Sequence, residues 1–230
     1  MRHNFNRTYA KEKKALVGGL TFICALFSLM PMLSFASTGV AVDFISQASS
    51  GNWKNDMFQN GCEEASIIMA MHWVKGTSLT STLGEKEVEA LSLYQKKQGG
   101  TYIDRSASDV GKLIKEYYGY SNVRAQFDIT KKDIIQALKS GAVVIVPVNG
   151  RKLKNPFFTQ PGPDRHMLLV IGHDSSKKQF ITNDPGTRRG KGYRYNEQVL
   201  ESALRDYPTG DHIKAMEQRT AMIVVLPPQK

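Results

Sequence analysis

The sequence predicts an α+β domain in which helices come first and strands after, and three observations carry that prediction. Between residues 62 and 140 the apolar residues recur at helical spacing, and the segments end on glycine. From Ala142 onward they gather in short continuous runs rich in Val and Ile, separated by Pro- and Gly-containing loops. Residues 1–36 have the pattern of a targeting segment and belong to no core.

That first segment places Arg2, Arg7, Lys11, Lys13 and Lys14 against a single Glu12, and no charge follows from Ala15 to Ala36. A basic region, an apolar run and the small-residue ending Ser34-Phe35-Ala36 are what a signal peptidase requires. The run is also about the length of a membrane span, so an uncleaved anchor is the alternative, and it would be the chain's one attachment to a membrane. In both cases residues 37–230 are expected to form one exported domain, secreted or held at the cell envelope.

The elements then follow in order. Val40-Ala41-Val42-Asp43-Phe44-Ile45-Ser46-Gln47 alternates weakly and is expected to form a short strand. Ala48 to Gln59, rich in Ser, Gly and Asn, reads as a loop carrying Trp53 and Phe58. A helix is expected from Cys62 to Lys75. Ala65, Ile68, Met69 and Trp73, widened by Ile67, Ala70, Met71 and Val74, make it apolar around most of its circumference, and Gly76 ends it. Such a helix belongs at the centre of a core.

Glu85 to Lys97 spaces Val88, Leu91 and Tyr94 helically; Ser108 to Tyr118 does the same with Val110, Leu113, Ile114 and Tyr117 before Gly119. Thr130 is placed to cap a helix from Lys131 to Ser140, closed by Gly141. Ala142 to Val148 and His166 to Gly172 read as apolar strands separated by a loop from Asn149 to Arg165. Gln179 to Asn183 reads as a third strand, ending in the turn Asp184-Pro185-Gly186. A short helix within Asn196 to Asp206 and a last strand, Ala221 to Leu226, complete the sheet.

Composition narrows the function. The chain has 31 Lys and Arg against 21 Asp and Glu, a net charge of +10, of which the first fourteen residues hold a disproportionate share. The remaining excess suits anionic envelope polymers or acidic proteins. No basic stripe is interleaved with aromatics, which argues against nucleic acid, and no His/Cys cluster has the spacing of a metal site. Cys24 lies in the targeting segment, so Cys62 is the one cysteine of the expected domain and has no disulfide partner there. A lone thiol in an oxidising compartment is either a small buried hydrophobe or a working group.

Its place favours work. A cysteine in the first turn of a buried helix meets free backbone N–H groups and the positive end of the dipole, which favour thiolate. Glu63 and Glu64 oppose that if they face the sulfur, so a cationic partner is needed. His3 lies in the targeting segment, His212 in a polar stretch, and His173 in an expected exposed turn after Gly172. His72 follows Cys62 on the same helix at about 15 Å along the axis, too far to touch it. His166 differs, because it opens a strand directly after a Pro/Gly loop. Asp184, at the end of the next strand, could then fix the imidazole tautomer.

The stretches Val42-Asp43-Phe44-Ile45-Ser46-Gln47, Asn60-Gly61-Cys62-Glu63-Glu64-Ala65-Ser66, Asn155-Pro156-Phe157-Phe158, His166-Met167-Leu168-Leu169-Val170-Ile171-Gly172 and Phe180-Ile181-Thr182-Asn183-Asp184-Pro185-Gly186-Thr187 together resemble the C39-like peptidases of the papain-like superfamily. The resemblance implies a papain-like fold, with an N-terminal helical part whose nucleophile helix packs on a C-terminal, mostly antiparallel sheet. It implies Cys62 as nucleophile, His166 as base and then acid, Asp184 as orienting group with Asn183 as the fallback, and a glutamine donor to the oxyanion. Gln47 fits that last role, and Gln59 is the second choice. Trp53, Phe157 and Phe158 are candidate walls of the substrate pocket. No cofactor is implied.

The expected activity is thiol-dependent hydrolysis of peptide bonds, with a peptide or protein as substrate. Transglutaminase-like acyl transfer uses the same residue types in the same order, and a non-catalytic binding domain could keep the fold.

Overall fold

The computed structural model describes residues 37–98, 100–210 and 219–228. The expected targeting segment, with His3 and Cys24, and also His212, lie outside the described residues. Within these, no helix is long and apolar enough to cross a membrane.

The helical part begins with α1 (Asp56–Gln59), α2 (Cys62–Lys75), α3 (Ser81–Lys97) and α4 (Ala107–Tyr118). The sheet is built from β1 (Thr38–Gly39), β2 (Val123–Phe127), β3 (Val143–Val148), β4 (His166–Asp174), β5 (Gln179–Asn183), β6 (Tyr193–Asn196) and β7 (Ala221–Val225). Every pairing is antiparallel, in the order β2-β7-β3-β4-β5-β6, with β1 on the far end of β4. Helices α5 (Lys131–Lys139), α6 (Gly150–Leu153) and α7 (Glu197–Ala203) complete the chain. The fold is α+β.

Strand alternation explains the layers, since successive side chains point to opposite faces. Val143, Ile145, Met167, Leu169, Ile223 and Val225 join one core with residues of α2, α3 and α4. Val144, Val146, Leu168, Val170, Met222 and Val224 join the other with Ile134 and Leu138 of α5 and Leu200 of α7. The central strands are therefore buried on both faces, and their near-continuous Val/Ile/Leu runs follow from that.

Helix α2 is the centre of the first core. Residues 62–71 are all buried, and Ile67, Ile68, Met69 and Met71 are at most 1% exposed. Each such side chain contributes roughly 1.5–3 kcal/mol on burial, so its place is held by many contacts. Gly76, in the left-handed conformation at φ 64°, ends it as expected. At the other end a Cβ on Gly61 would stand 2.7 Å from the Met57 carbonyl oxygen and 2.9 Å from Val88 Cγ1. Only glycine admits that approach, and it seats Cys62 against the preceding turn.

Several expectations are corrected. Residues 40–47 are not a strand: only Thr38–Gly39 pair with β4. The following backbone is engaged by other groups, with Asn183 Nδ2 on the Val42 carbonyl and the Gln47 N–H on the Pro185 carbonyl. Helix α3 starts at Ser81 under a Thr80 cap, a turn earlier than Glu85. The segment from Asn149 to Arg165 contains α6, capped by the Asn149 side chain. Strands β2 and β6 were not foreseen, and β2 with α5 interrupts the simple order of helices then strands. His173 is not in an exposed turn: it is 6% exposed within β4 and bonds Glu197 at 2.8 Å.

One irregularity sets the register beside the site. Val170 pairs with Thr182 but Gly172 pairs with Ile181, so Ile171 is an extra residue in β4. Its carbonyl accepts from Val40 N–H instead. Below this bulge Leu169 stands opposite Asn183, the last residue of β5.

Candidate active site

The N-terminus of α2, the start of β4 and the end of β5 meet at a cleft of about 870 Å³. Cys62, His166, Gln47, Gln59, Trp53, Phe157 and Phe158 all line it. A second depression, of about 560 Å³ beside Trp73 and Asn183, includes neither Cys62 nor His166.

His166 and Asp184 are directly bonded, Nε2 to Oδ1 at 2.7 Å, and are 2% and 0% exposed. Gly186 follows so closely that a Cβ there would lie 2.8 Å from His166 Cε1, and its N–H donates to Asp184 Oδ1 at 3.0 Å. The other carboxylate oxygen accepts from the Tyr195 hydroxyl at 2.6 Å and from Asn155 Nδ2 at 3.4 Å. Burial alone would raise the Asp184 pKa; the His166 charge and hydrogen bond, with those from Tyr195 and Gly186, outweigh it and hold the carboxyl below its ordinary value. Asp184 is thus kept as a carboxylate that fixes the ring with Nε2 protonated. Nδ1 is then the ring nitrogen left to accept a proton. Phe158 packs edge-on against the same ring at 5.3 Å.

Asn183 turns away. It donates to the carbonyls of Val42 and Asp43 and accepts from Gly192 N–H, tying the segment after β1 to β5. Tyr195 and Asn155 were not foreseen as partners of Asp184. Tyr195 sits on unforeseen β6, and Asn155 lies in a loop that offers no periodic signal.

Cys62 is a free thiol, 7% exposed. Its Sγ donates to Glu63 Oε2 at 3.0 Å. Burial first, then the Glu63 charge and hydrogen bond, and lastly the Glu64 charge, push the thiol well above its ordinary pKa; a backbone bond from Met167 opposes them. Helix-end stabilisation is therefore overcome, as the paired glutamates suggested, and a thiolate requires the positive charge of an imidazolium.

Glu63 is itself 1% exposed and accepts from the Tyr207 hydroxyl at 2.8 Å and from Arg105 N–H at 3.4 Å. Burial raises its pKa against the hydrogen bonds from Cys62 and Tyr207. Glu63→Gln removes the charge beside the sulfur while keeping an acceptor for Tyr207. The Cys62 pKa is expected to fall, read as an acid shift in the pH profile of iodoacetamide alkylation. An unmoved profile would show that Glu63 does not set it.

Gln47 is 5% exposed at the cleft wall, and its Nε2 donates to the Phe58 and Gln59 carbonyls at 3.0 and 2.9 Å. Both amide hydrogens are thus engaged, and its Oε1 has no partner among the described residues. Gln59 is exposed and reaches the cleft from α1. Cys62, as first helical residue, has an N–H with no intrahelical acceptor. His72 has a structural role, its Nε2 lying 3.1 Å from Glu87. Among the described residues no His/Cys/Asp/Glu group is arranged to hold a metal.

Comparison with known proteins adds two findings. The family model described as the Peptidase_C39 like family matches residues 40–209. A crystal structure described as that of a candidate C39-like peptidase from Bacillus anthracis superposes with a TM-score of 0.54 at 15% identity. It covers 84% of this chain and 100% of its own, and at that identity the likeness speaks for the fold. No curated protein sequence matches the chain.

Proposed function

The chain belongs to the Peptidase_C39 like family, and from that premise we propose that it is an exported thiol-dependent peptidase, with Cys62 as nucleophile, His166 as base and acid, and Asp184 as orienting group. The observation that carries this is the 2.7 Å bond from fully buried Asp184 to His166, a residue that lines the same cleft as the one free cysteine among the described residues. The export rests on the basic segment and uncharged run within residues 1–36.

His166 Nδ1 takes the thiol proton, and the thiolate attacks the amide carbonyl carbon. The developing oxyanion is met by the Cys62 backbone N–H, with a Gln side chain as second donor. For Gln47 this means giving up one of its bonds to the Phe58 and Gln59 carbonyls. The imidazolium returns its proton to the leaving amine as the C–N bond breaks, leaving a thioester. His166 then deprotonates a water, which attacks the thioester, and the carboxylic acid and free thiol are released. Contact with the peptide is assigned to Trp53, Phe157 and Phe158, which line the cleft.

Complete alkylation of Cys62 by iodoacetamide is expected to abolish cleavage of a peptide library by the full-length protein. Cleavage that persists once Cys62 itself is fully labelled would reject the thiol mechanism. Added primary amine distinguishes transfer from hydrolysis, because amide product in place of free acid would mark an acyltransferase.

A further inference from the structure

We propose that Arg188 and Arg189 form a subsite for a substrate carboxylate on the leaving-group side of the cleft, a proposal that rests on the peptidase function above. Both arginines are exposed and line the same cleft as Cys62 and His166. They stand on the turn that follows Asp184, and that turn is fixed. Asp184 N–H donates to the Gly190 carbonyl at 3.0 Å, Arg189 N–H to Thr187 Oγ1 at 3.2 Å, and the Pro185 carbonyl accepts from Gln47 N–H and Ser46 Oγ. The two cations are therefore presented from ordered backbone.

Their side chains are also placed. The Arg189 guanidinium lies over the Phe157 ring at 4.9 Å, which desolvates one face and leaves its N–H edge open. A Cβ at Gly51 would lie 3.7 Å from Arg188 Nη1, so Arg188 reaches the loop that carries Trp53. Among the described residues neither forms an ion pair with a carboxylate. The carboxylates of the cleft are engaged: Asp56 by Tyr102, Glu63 by Tyr207, Asp104 by Arg165 and Asp164 by Arg205. Asp104 and Asp164 are thus neutralised by arginines, while Arg188 and Arg189 are exposed guanidinium groups of the cleft with no carboxylate partner among the described residues.

Chemistry identifies the side. The leaving amine must receive its proton from His166, so the substrate beyond the scissile bond runs past the imidazole. Gly186 lies against that ring, and Arg188 and Arg189 come next in the chain. Guanidinium groups bind carboxylates through paired, charge-assisted hydrogen bonds. The group recognised is therefore a carboxylate on the C-terminal side of the cut, supplied by an acidic side chain or by the substrate's own C-terminus.

The full-length protein is assayed on matched peptides carrying Glu or Gln just after the cut, each with a free or amidated C-terminus. The carboxylate-bearing peptides are expected to exceed their neutral counterparts in kcat/KM by about tenfold. The Glu/Gln arm identifies a side chain as the source, and the acid/amide arm a terminus. The preference is expected to vanish in Arg188→Glu/Arg189→Glu and to weaken with added salt. Equal rates on all four peptides, or a preference that survives the double substitution, overturn the subsite.

A second measurement needs no peptide cleavage. The rate of Cys62 alkylation by iodoacetate, divided by that by iodoacetamide, is expected to fall about threefold or more in the double variant, since the two reagents differ in charge and little in size. An unchanged ratio also overturns the subsite. A changed ratio with no cleavage of any peptide would support the subsite and reject the peptidase function.

Discussion

Alanine at His166 is expected to lower kcat/KM for peptide hydrolysis by a factor of about 10³ or more, the scale on which loss of one member of a nucleophile–base pair acts. The Cys62 thiol is held protonated by burial and by Glu63, so without the imidazole nothing at the cleft accepts its proton productively. The same substitution removes the ring N–H that Asp184 Oδ1 accepts from, leaving a fully buried carboxylate with only the donors from Tyr195, Asn155 and Gly186. Stability should fall with activity, so thermal unfolding must accompany the assay. His166→Gln keeps a donor for Asp184 and separates the effects: a folded variant with hydrolysis and thiol alkylation both suppressed supports the base, whereas a rate within tenfold of the native one rejects it.

Glu64→Gln is expected to make the protein markedly more stable at pH 8 and much less so at pH 5. Glu64 is 0% exposed; Gln95 Nε2 donates to its Oε1 at 2.5 Å, and its Oε2 has no partner among the described residues. Burial, then the Glu63 charge, raise its pKa from 4.5 to about 8, the Gln95 bond opposing them. Between those two values folding takes up a proton, because the unfolded chain is ionised where the folded one is not. The Glu64 contribution to stability is therefore greatest at the acid end of this window and falls by up to about 1.4 kcal/mol per pH unit toward pH 8. Glutamine does not titrate, so the gap between variant and native should widen with pH in urea unfolding at pH 5, 6.5 and 8. Parallel pH dependences in the two proteins would rule out a buried, proton-binding Glu64.

Much of this was legible in the residues. The all-round apolar run from Ala65 to Val74 with glycines at both ends can only be a buried helix, and it brings Cys62 to its first turn. His166 directly after a Pro/Gly loop marked a strand opening, and Asp184 marked the end of its neighbour. What escaped depends on partners distant in the chain. Val123-Arg124-Ala125-Gln126-Phe127 does alternate, but it is short and its stability comes from β7, a hundred residues away. Tyr195 binds Asp184 from β6, which is a strand only because β5 lies beside it. Residues 40–47 failed in the opposite sense, alternating without a free strand edge to join. That Glu63 touches the sulfur was foreseen as a hazard, yet its tie to Tyr207 spans most of the domain and has no local signature.

The extra residue at Ile171 has a consequence for the chemistry of the histidine's partner. In an antiparallel pair a slip by one residue exchanges the faces of a strand. With the bulge in place, Leu169 stands opposite Asn183, so Asp184 shares the face of Leu168 and His166. Were the same residues paired regularly from Gly172 and Ile181 onward, without the bulge, Val170 would stand opposite Asn183, and a neutral amide would occupy the face of His166 in place of the carboxylate. A single residue of slack, remote from the sulfur, thus decides whether the imidazole is steadied by a charge or by a dipole.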